Sequence, residues 1–250
     1  MATKNSVMHL IIDVGNTRIK AAVFEQNTLV ELFIFTKEAF LTETNFILNK
    51  FPKIKKLVVA SVGSVEKESF LSLKYKAELH FITHEKKFPF TNLYSTPATL
   101  GIDRMVLASG AVIQYPKQNR LVIDMGTCIT YDFIDENDNY LGGAISPGIR
   151  LRYESLHQHT AKLPLLTKNY PKSFIGNSTQ ESIHSGVING AASEIDGFIE
   201  LYKTQYAKFI IILTGGDAEF LAIRLKNTIF ANSNFLIESL NQTFQYNQND

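Results

Sequence analysis

The sequence predicts an α/β fold made of two similar halves, and three observations carry that prediction. Short apolar runs rich in β-branched residues alternate with stretches of helical spacing. The phrase LIIDVGNTRIKAAVF, which starts at Leu10, returns as LVIDMGTCITYDFID from Leu121. The length of 250 residues, 45% hydrophobic and 20% charged, is enough for two modest cores.

In the first half, Leu10 to Asp13, Ile19 to Phe24 and Leu29 to Phe35 read as strands, with a Gly-Asn turn between the first two. A helix is expected around Glu38 to Asn49, then strands over Lys56 to Ser61 and AELHFITH. Helical spacing resumes at Asp103 in DRMVLASGAVIQY and stops at Pro116. The halves are expected to meet near Tyr115 to Asn119, giving domains over 1–118 and 119–250.

The repeat aligns Asp13 with Asp124, Gly15 with Gly126, Asn16 with Thr127 and Ile19 with Thr130. Beyond it, YLGGAISPGIR reads as a glycine-rich turn, followed by a helix to about Lys162 and a long loop holding Pro164 and Pro171. Ser178 and Glu181 have the spacing of a capping box, opening a helix to about Gln205. Gly186 and Gly190 would weaken that helix, so close packing is expected at both. FIIILTGGDAEFLAIRL reads as strand, glycine turn and helix, and the polar tail NQTFQYNQND as a frayed end.

Three turns have the residue types of an anion or nucleotide site. In the first, Gly15 allows positive φ and close backbone approach, Thr17 brings a hydroxyl, Lys20 a charge and Asp13 a possible Mg²⁺ ligand. The turn at Asp124 repeats the pattern, as one polyphosphate gripped by two matching turns would require. The Gly215-Gly216 turn would let a base or ribose lie against the backbone. Asp103 and Arg104 follow a glycine, a carboxylate for a hydroxyl proton beside a positive charge. Asp103 is equally an N-cap candidate. His157 and His159, two apart, would not ligate one metal from a helix, and Gly-x-Ser-x-Gly is absent. Cys128, the single cysteine, is expected to be a small buried side chain.

The net charge of +1 offers little for a nucleic-acid partner. No segment approaches the roughly 20 apolar residues of a membrane span, and the opening MATKNSVMHLIID lacks a signal-peptide core. A cytoplasmic protein with no membrane partner is expected.

Taken together, DVGNTRIK, LGIDR, DMGTCITYD, GGAISPG and TGGDA, in this order and with TAKLP and GNSTQESIHSG, resemble the type III pantothenate kinases. That family belongs to the acetate and sugar kinase, Hsp70 and actin superfamily. The resemblance implies two ribonuclease-H-like (actin-like ATPase) domains, with mixed β-sheets flanked by helices. It implies ATP-dependent phosphorylation of pantothenate to 4'-phosphopantothenate, the first step toward coenzyme A, with Mg²⁺ and a monovalent cation, K⁺ or NH₄⁺. It also implies a homodimer with the substrate site at its interface. Carried onto this sequence, Asp103 is the base and Arg104 a substrate ligand. Asp13, Gly15, Asn16, Thr17 and Lys20 bind phosphate. Gly126, Thr127 and Thr130 form the second clamp, with Asp124 a cation ligand and Gly215 and Gly216 on the nucleotide. Tyr94, Gly101 and Thr179 match pantothenate contacts, Thr179 reaching the site from the partner subunit. Cys128 stands where the family commonly has Ala. Competing expectations are another small-molecule kinase of this fold, an exopolyphosphatase, or a transcriptional accessory factor, a label some members of the family have received.

Overall fold

Two hairpins with the same strand grammar organise the chain, and each begins a mixed sheet. The computed structural model describes residues 7–15, 18–60, 67–74, 76–227 and 230–248. They fall into two compact units: one runs to Thr91 and adds Ser95–Gln114 and the segment from Phe235 onward, the other comprises Asn92–Tyr94 and Tyr115–Asn234.

In the first unit, β1 (Met8–Val14), β2 (Ile19–Glu25) and β3 (Thr28–Phe35) form an antiparallel meander. β4 (Ile54–Ala60) and β5 (Glu78–Ile82) extend the sheet in parallel, in the order β3-β2-β1-β4-β5. Parallel neighbours need crossovers, supplied by α1 (Phe40–Lys50) and by a connection containing α2 (Lys67–Leu71). Side chains alternate faces along a strand. Leu10, Ile12 and Val14 therefore join Phe40, Ile47 and Phe70 on the side of α1 and α2. Ile11 joins Val106, Leu240 and Phe244, contributed by α3 (Ile102–Gln114) and α8 (Phe235–Tyr246). The same alternation puts Asp13 on the α3 side, with Ile11.

The second unit repeats the plan. β7 (Arg120–Met125), β8 (Cys128–Ile134) and β9 (Asn139–Pro147) form the meander. β10 (Ile210–Thr214) and β11 (Phe230–Ala231) extend it in parallel. The order is β11-β10-β7-β8-β9, the arrangement of the first sheet, with β6 (Thr91–Asn92) added beside β9. Leu121, Ile123, Tyr131 and Phe133 pack on α4 (Ile149–Gln158), α6 (Gly190–Gln205) and α7 (Ala218–Ala222).

Several expectations change. The stretch read as a glycine-rich turn is strand β9, because Gly143 lies where a Cβ would collide with the Tyr131 carbonyl across the ladder. Residues 241–246 of the tail are helical and not frayed: Asn241, Thr243 and Phe244 are buried in α8. Its amides reach the β2–β3 turn, where Asn241 Nδ2 and Gln245 Nε2 donate to the Gln26 carbonyl at 2.8 and 2.6 Å. α8 thereby joins the first unit, a difference from a division at 118/119 that only its long-range packing reveals. Cys128 is exposed.

The capping box is present in part, the Ser178 hydroxyl accepting from Glu181 N–H at 3.3 Å at the start of α5 (Thr179–His184). Helix continues to Gln205 through a π-helical segment, Ser185–Asn189. Gly186 and Gly190 flank or enter that wider turn, and neither is closely packed, since a Cβ at either would meet no atom within 4 Å. The close approach is at Gly110 of α3, where a Cβ would strike the Ser239 side chain and come 3.1 Å from its Cα. Among the described residues, no helix is long and apolar enough to cross a membrane.

These glycines predict opposite effects in chemical denaturation. Gly110→Ala should cost about 1–3 kcal/mol by forcing α3 from α8. Gly197→Ala, in the exposed interior of α6 with open space around it, should add about 0.5–1 kcal/mol.

Candidate active site

In the first unit the site begins at the end of β1. The ladder pairs Asp13 with Lys20 and Val14 with Ile19, so the acid and the base share one face beside the turn. Burial pushes the Asp13 carboxyl up to about 6, Lys20 opposes that shift and the Asp103 carboxylate adds to it. Asp103 thus lies near enough to be felt by Asp13, although it stands ninety positions later. Gly15 does not adopt a positive φ; its need is space, since a Cβ would lie 2.9 Å from the Arg18 carbonyl. Asn16 and Thr17 lie outside the described residues.

Asp103 is not the N-cap of α3. The first helical bond runs from Met105 N–H to the Gly101 carbonyl at 3.1 Å, so Gly101 caps the helix and Asp103 sits in its first turn. The exposed Asp103 carboxylate accepts the Arg104 N–H at 2.9 Å. A Cβ on Gly101 would overlap Asp103 Oδ1, so glycine here clears the room that carboxylate occupies. Arg104 turns inward and is buried. His84 Nε2 lies 2.8 Å from the Leu100 carbonyl, which can only accept, so the ring donates and anchors the approach to Gly101. Nothing in the sequence marked His84.

In the second unit, β10, β7 and β8 align Thr214, Asp124 and Thr130 in one row across the sheet. The first hairpin leaves four residues between Val14 and Ile19, and the second leaves three between Met125 and Ile129. Thr130 is therefore the counterpart of Lys20, not of Ile19 as the sequence repeat suggests. A one-residue change in a turn shifts every cross-strand pairing that follows it.

Gly215 has φ +96°, and a Cβ there would lie 2.5 Å from both Asp124 Oδ1 and the Met125 carbonyl. The Asp217 N–H donates to that same carbonyl at 3.1 Å, which folds the Gly215-Gly216 turn onto the end of β7. The Gly148 N–H donates to the Thr127 carbonyl at 3.0 Å, and a Cβ on Gly148 would overlap the carbonyls of Gly126 and Thr127. Gly126, Thr127, Gly215 and Gly216 are thus brought together around Asp124. Among the described residues no cluster of three acidic, His or Cys side chains is placed to hold a metal. Mg²⁺ in phosphoryl-transfer sites is commonly held by one or two carboxylates plus substrate phosphates, so Asp124 with its hydroxyl neighbours fits that chemistry. The Thr214 hydroxyl is buried with no hydrogen-bond partner among the described residues.

Behind this turn lies a polar network that motif reading missed. Glu194 of α6 accepts from Ser146 Oγ at 2.5 Å, Tyr131 Oη at 3.0 Å and Arg152 Nη2 at 2.6 Å. Burial works to raise the Glu194 carboxyl; the bonds from Arg152, Ser146 and Tyr131 and the Arg152 charge outweigh it and hold the group below its usual range. Arg152 Nε also donates to the Pro147 carbonyl at 2.8 Å, so the network grips both sides of the turn holding Gly148. Lys168 is ion-paired with Asp217, tying the long loop to the glycine turn. Tyr94 lies in the second unit, packed on Gly142, and Thr179 is exposed at the start of α5.

Residues 9–201 match the family model described as type III pantothenate kinase. A Flavobacterium johnsoniae protein named type III pantothenate kinase is 68% identical over 239 residues, covering 96% of this chain and 98% of that one. Among solved structures, a Campylobacter jejuni protein described as a Baf family transcriptional activator superposes with TM-score 0.64 at 24% identity, over 96% of this chain and 100% of that one. A Listeria monocytogenes protein described as an N-acetylmannosamine kinase gives TM-score 0.55 at 12% identity, over 97% and 100%. At such identities these two likenesses speak for the fold alone, and with the shared sheet order they make both units ribonuclease-H-like. The family match over most of the length and the 68% relative settle the lineage: the chain belongs to the type III pantothenate kinase family.

Proposed function

We propose that this chain phosphorylates pantothenate to 4'-phosphopantothenate with ATP, and that Asp103 is its general base. One observation carries the assignment. The exposed Asp103 carboxylate, kept clear by Gly101, stands within electrostatic reach of Asp13, which pairs with Lys20 at the first turn. Asp103 accepts the proton of the primary hydroxyl of pantothenate as that oxygen attacks the γ-phosphorus, and the bond to the leaving ADP oxygen breaks. Such transfer gains mainly from positioning and charge stabilisation.

In the first unit, Lys20 and the turn at Gly15, Asn16 and Thr17 take the phosphates, with Asp13 beside them. In the second, Gly126, Thr127 and Thr130 do the same, and the Gly215-Gly216 turn takes the nucleoside. Asp124 holds the cation. Bound Mg²⁺ would neutralise charge on the phosphates, and K⁺ or NH₄⁺ is the expected monovalent companion. Arg104, Gly101 and Tyr94 contact pantothenate. The chain works as a homodimer in the cytoplasm, with Thr179 of the partner subunit completing the substrate site. The other members of the sheet row, Thr214 and Thr130, supply the oxygen-rich surroundings a hard cation prefers.

Pantothenate-dependent ADP release in a coupled assay, with K⁺ and without, tests the activity; release driven instead by a sugar or acetate would establish another kinase of this fold. Asp103→Asn should cut kcat by roughly 10²–10⁴ with an unchanged melting temperature, and near-normal turnover would remove Asp103 from this role.

Asp13 makes a pH-dependent prediction. Its folded pKa is raised to about 6 from the ordinary 3.8, so its favourable contribution belongs to the protonated form. That contribution is complete below 3.8 and is lost as pH rises through 6. Asp13→Asn should therefore melt higher than the parent at pH 7.5, with the gap closing toward pH 4, while turnover falls. A gap independent of pH would show that Asp13 ionises normally.

A further inference from the structure

We propose that Asp132 is a positioning residue, one buried carboxylate that sets both a nucleotide-side hydroxyl and a substrate-side ring. The inference deepens the site reading above and rests on its assignment of Thr130 to the nucleotide and Tyr94 to pantothenate.

Thr130 and Asp132 are two apart on β8 and face the side opposite the α6 core. Asp132 is fully buried. Its Oδ2 accepts from Thr130 Oγ1 at 3.1 Å, and its Oδ1 accepts from the buried Tyr140 Oη at 2.6 Å. Both bonds are donated to the carboxyl, so both hydroxyl protons point at Asp132. The Thr130 oxygen is left to offer lone pairs, not its proton, so it suits the cation that accompanies the phosphates and does not donate to a phosphate oxygen itself. One acid thus orients two hydroxyls.

The second hydroxyl leads to Tyr94. The Tyr140 ring meets the Tyr94 ring edge-on with centroids 6.1 Å apart, and the Tyr140 carbonyl accepts the Leu93 N–H at 3.0 Å. On its other side Tyr94 presses against bare backbone: Gly142 has φ +102°, and a Cβ there would lie 3.2 Å from the ring. Tyr94 is thus located by Tyr140 and Gly142 together, and Tyr140 by Asp132. A carboxylate in such a place is costly unless its bonds are made, and an apolar pair would fill the space more cheaply. What the acid adds is a defined orientation for both groups.

The test is steady-state kinetics on Asp132→Asn and Tyr140→Phe, with melting temperatures recorded alongside. Asn carries a donor where the acid only accepts, so one of the two hydroxyls must reverse. Asp132→Asn should raise KM for both ATP and pantothenate about three- to tenfold. Tyr140→Phe should raise KM for pantothenate by a similar factor and leave KM for ATP within about twofold. Melting temperatures that fall with both KM values unchanged would overturn the proposal, leaving Asp132 merely structural. If Asp132→Asn fails to fold, Tyr140→Phe decides alone. Tyr94→Ala and Thr130→Ala separate the two levels. Unchanged KM in these two variants overturns the site reading and this inference with it. Raised KM there, with parental values in Asp132→Asn and Tyr140→Phe, overturns the inference only.

Discussion

The cross-strand pairing of two antiparallel hairpins is the constraint on which the rest depends. In each, the next-to-last residue of a strand is an aspartate whose ladder partner on the returning strand is polar, Lys20 for Asp13 and Thr130 for Asp124. Paired residues share a face, so each hairpin sets an acid and a second polar group side by side at the end of a buried strand. The remaining elements hold those two edges in place. Parallel strands flank each hairpin, and the turn after β10 closes over Asp124 because Gly215 has no side chain to obstruct it.

Holding charge at such edges costs stability, and the two units meet that cost differently. Asp13 is left in an environment that raises its pKa, opposed by one lysine and burdened by a neighbouring acid. A buried carboxyl in that condition is stabilised as an anion by any cation brought close to it. Asp132 and Glu194 are satisfied internally by hydroxyls and, for Glu194, by Arg152. Burial leaves the first acid poorly stabilised as an anion, while the other two have their bonds made.

Legibility followed the range of the interactions. The strand-and-turn placement of Asp13, Asp124 and the Gly215-Gly216 pair was legible because it is local: strand, turn and partner lie within a few residues. The α5–α6 helix was visible from its apolar spacing, and Ile183, Val187, Ala191 and Ile195 are buried as that spacing requires. Glycines were less transparent. Gly186 and Gly190 suggested packing that is absent, while Gly110, unremarked in the sequence, is where α3 meets α8. A glycine letter does not say whether it is there for space, for φ or for neither. The π-helical turn and the role of His84 carry no periodic signal at all.

The sequence by itself determined the α/β class, the duplicated strand–Asp–turn–strand unit and the set of motifs that marks the family, since these depend on residue type and short spacing. The tertiary structure decided which residues are equivalent between the halves, because register follows turn length, and Thr130, aligned with Ile19 by sequence, answers to Lys20. It also brought α8 back onto the first unit, placed Asp103 where its charge reaches Asp13, and joined Asp132 to Tyr140. Those are contacts between residues distant in the chain. Only the burial of whole faces selects them, and a linear pattern holds no record of which faces meet.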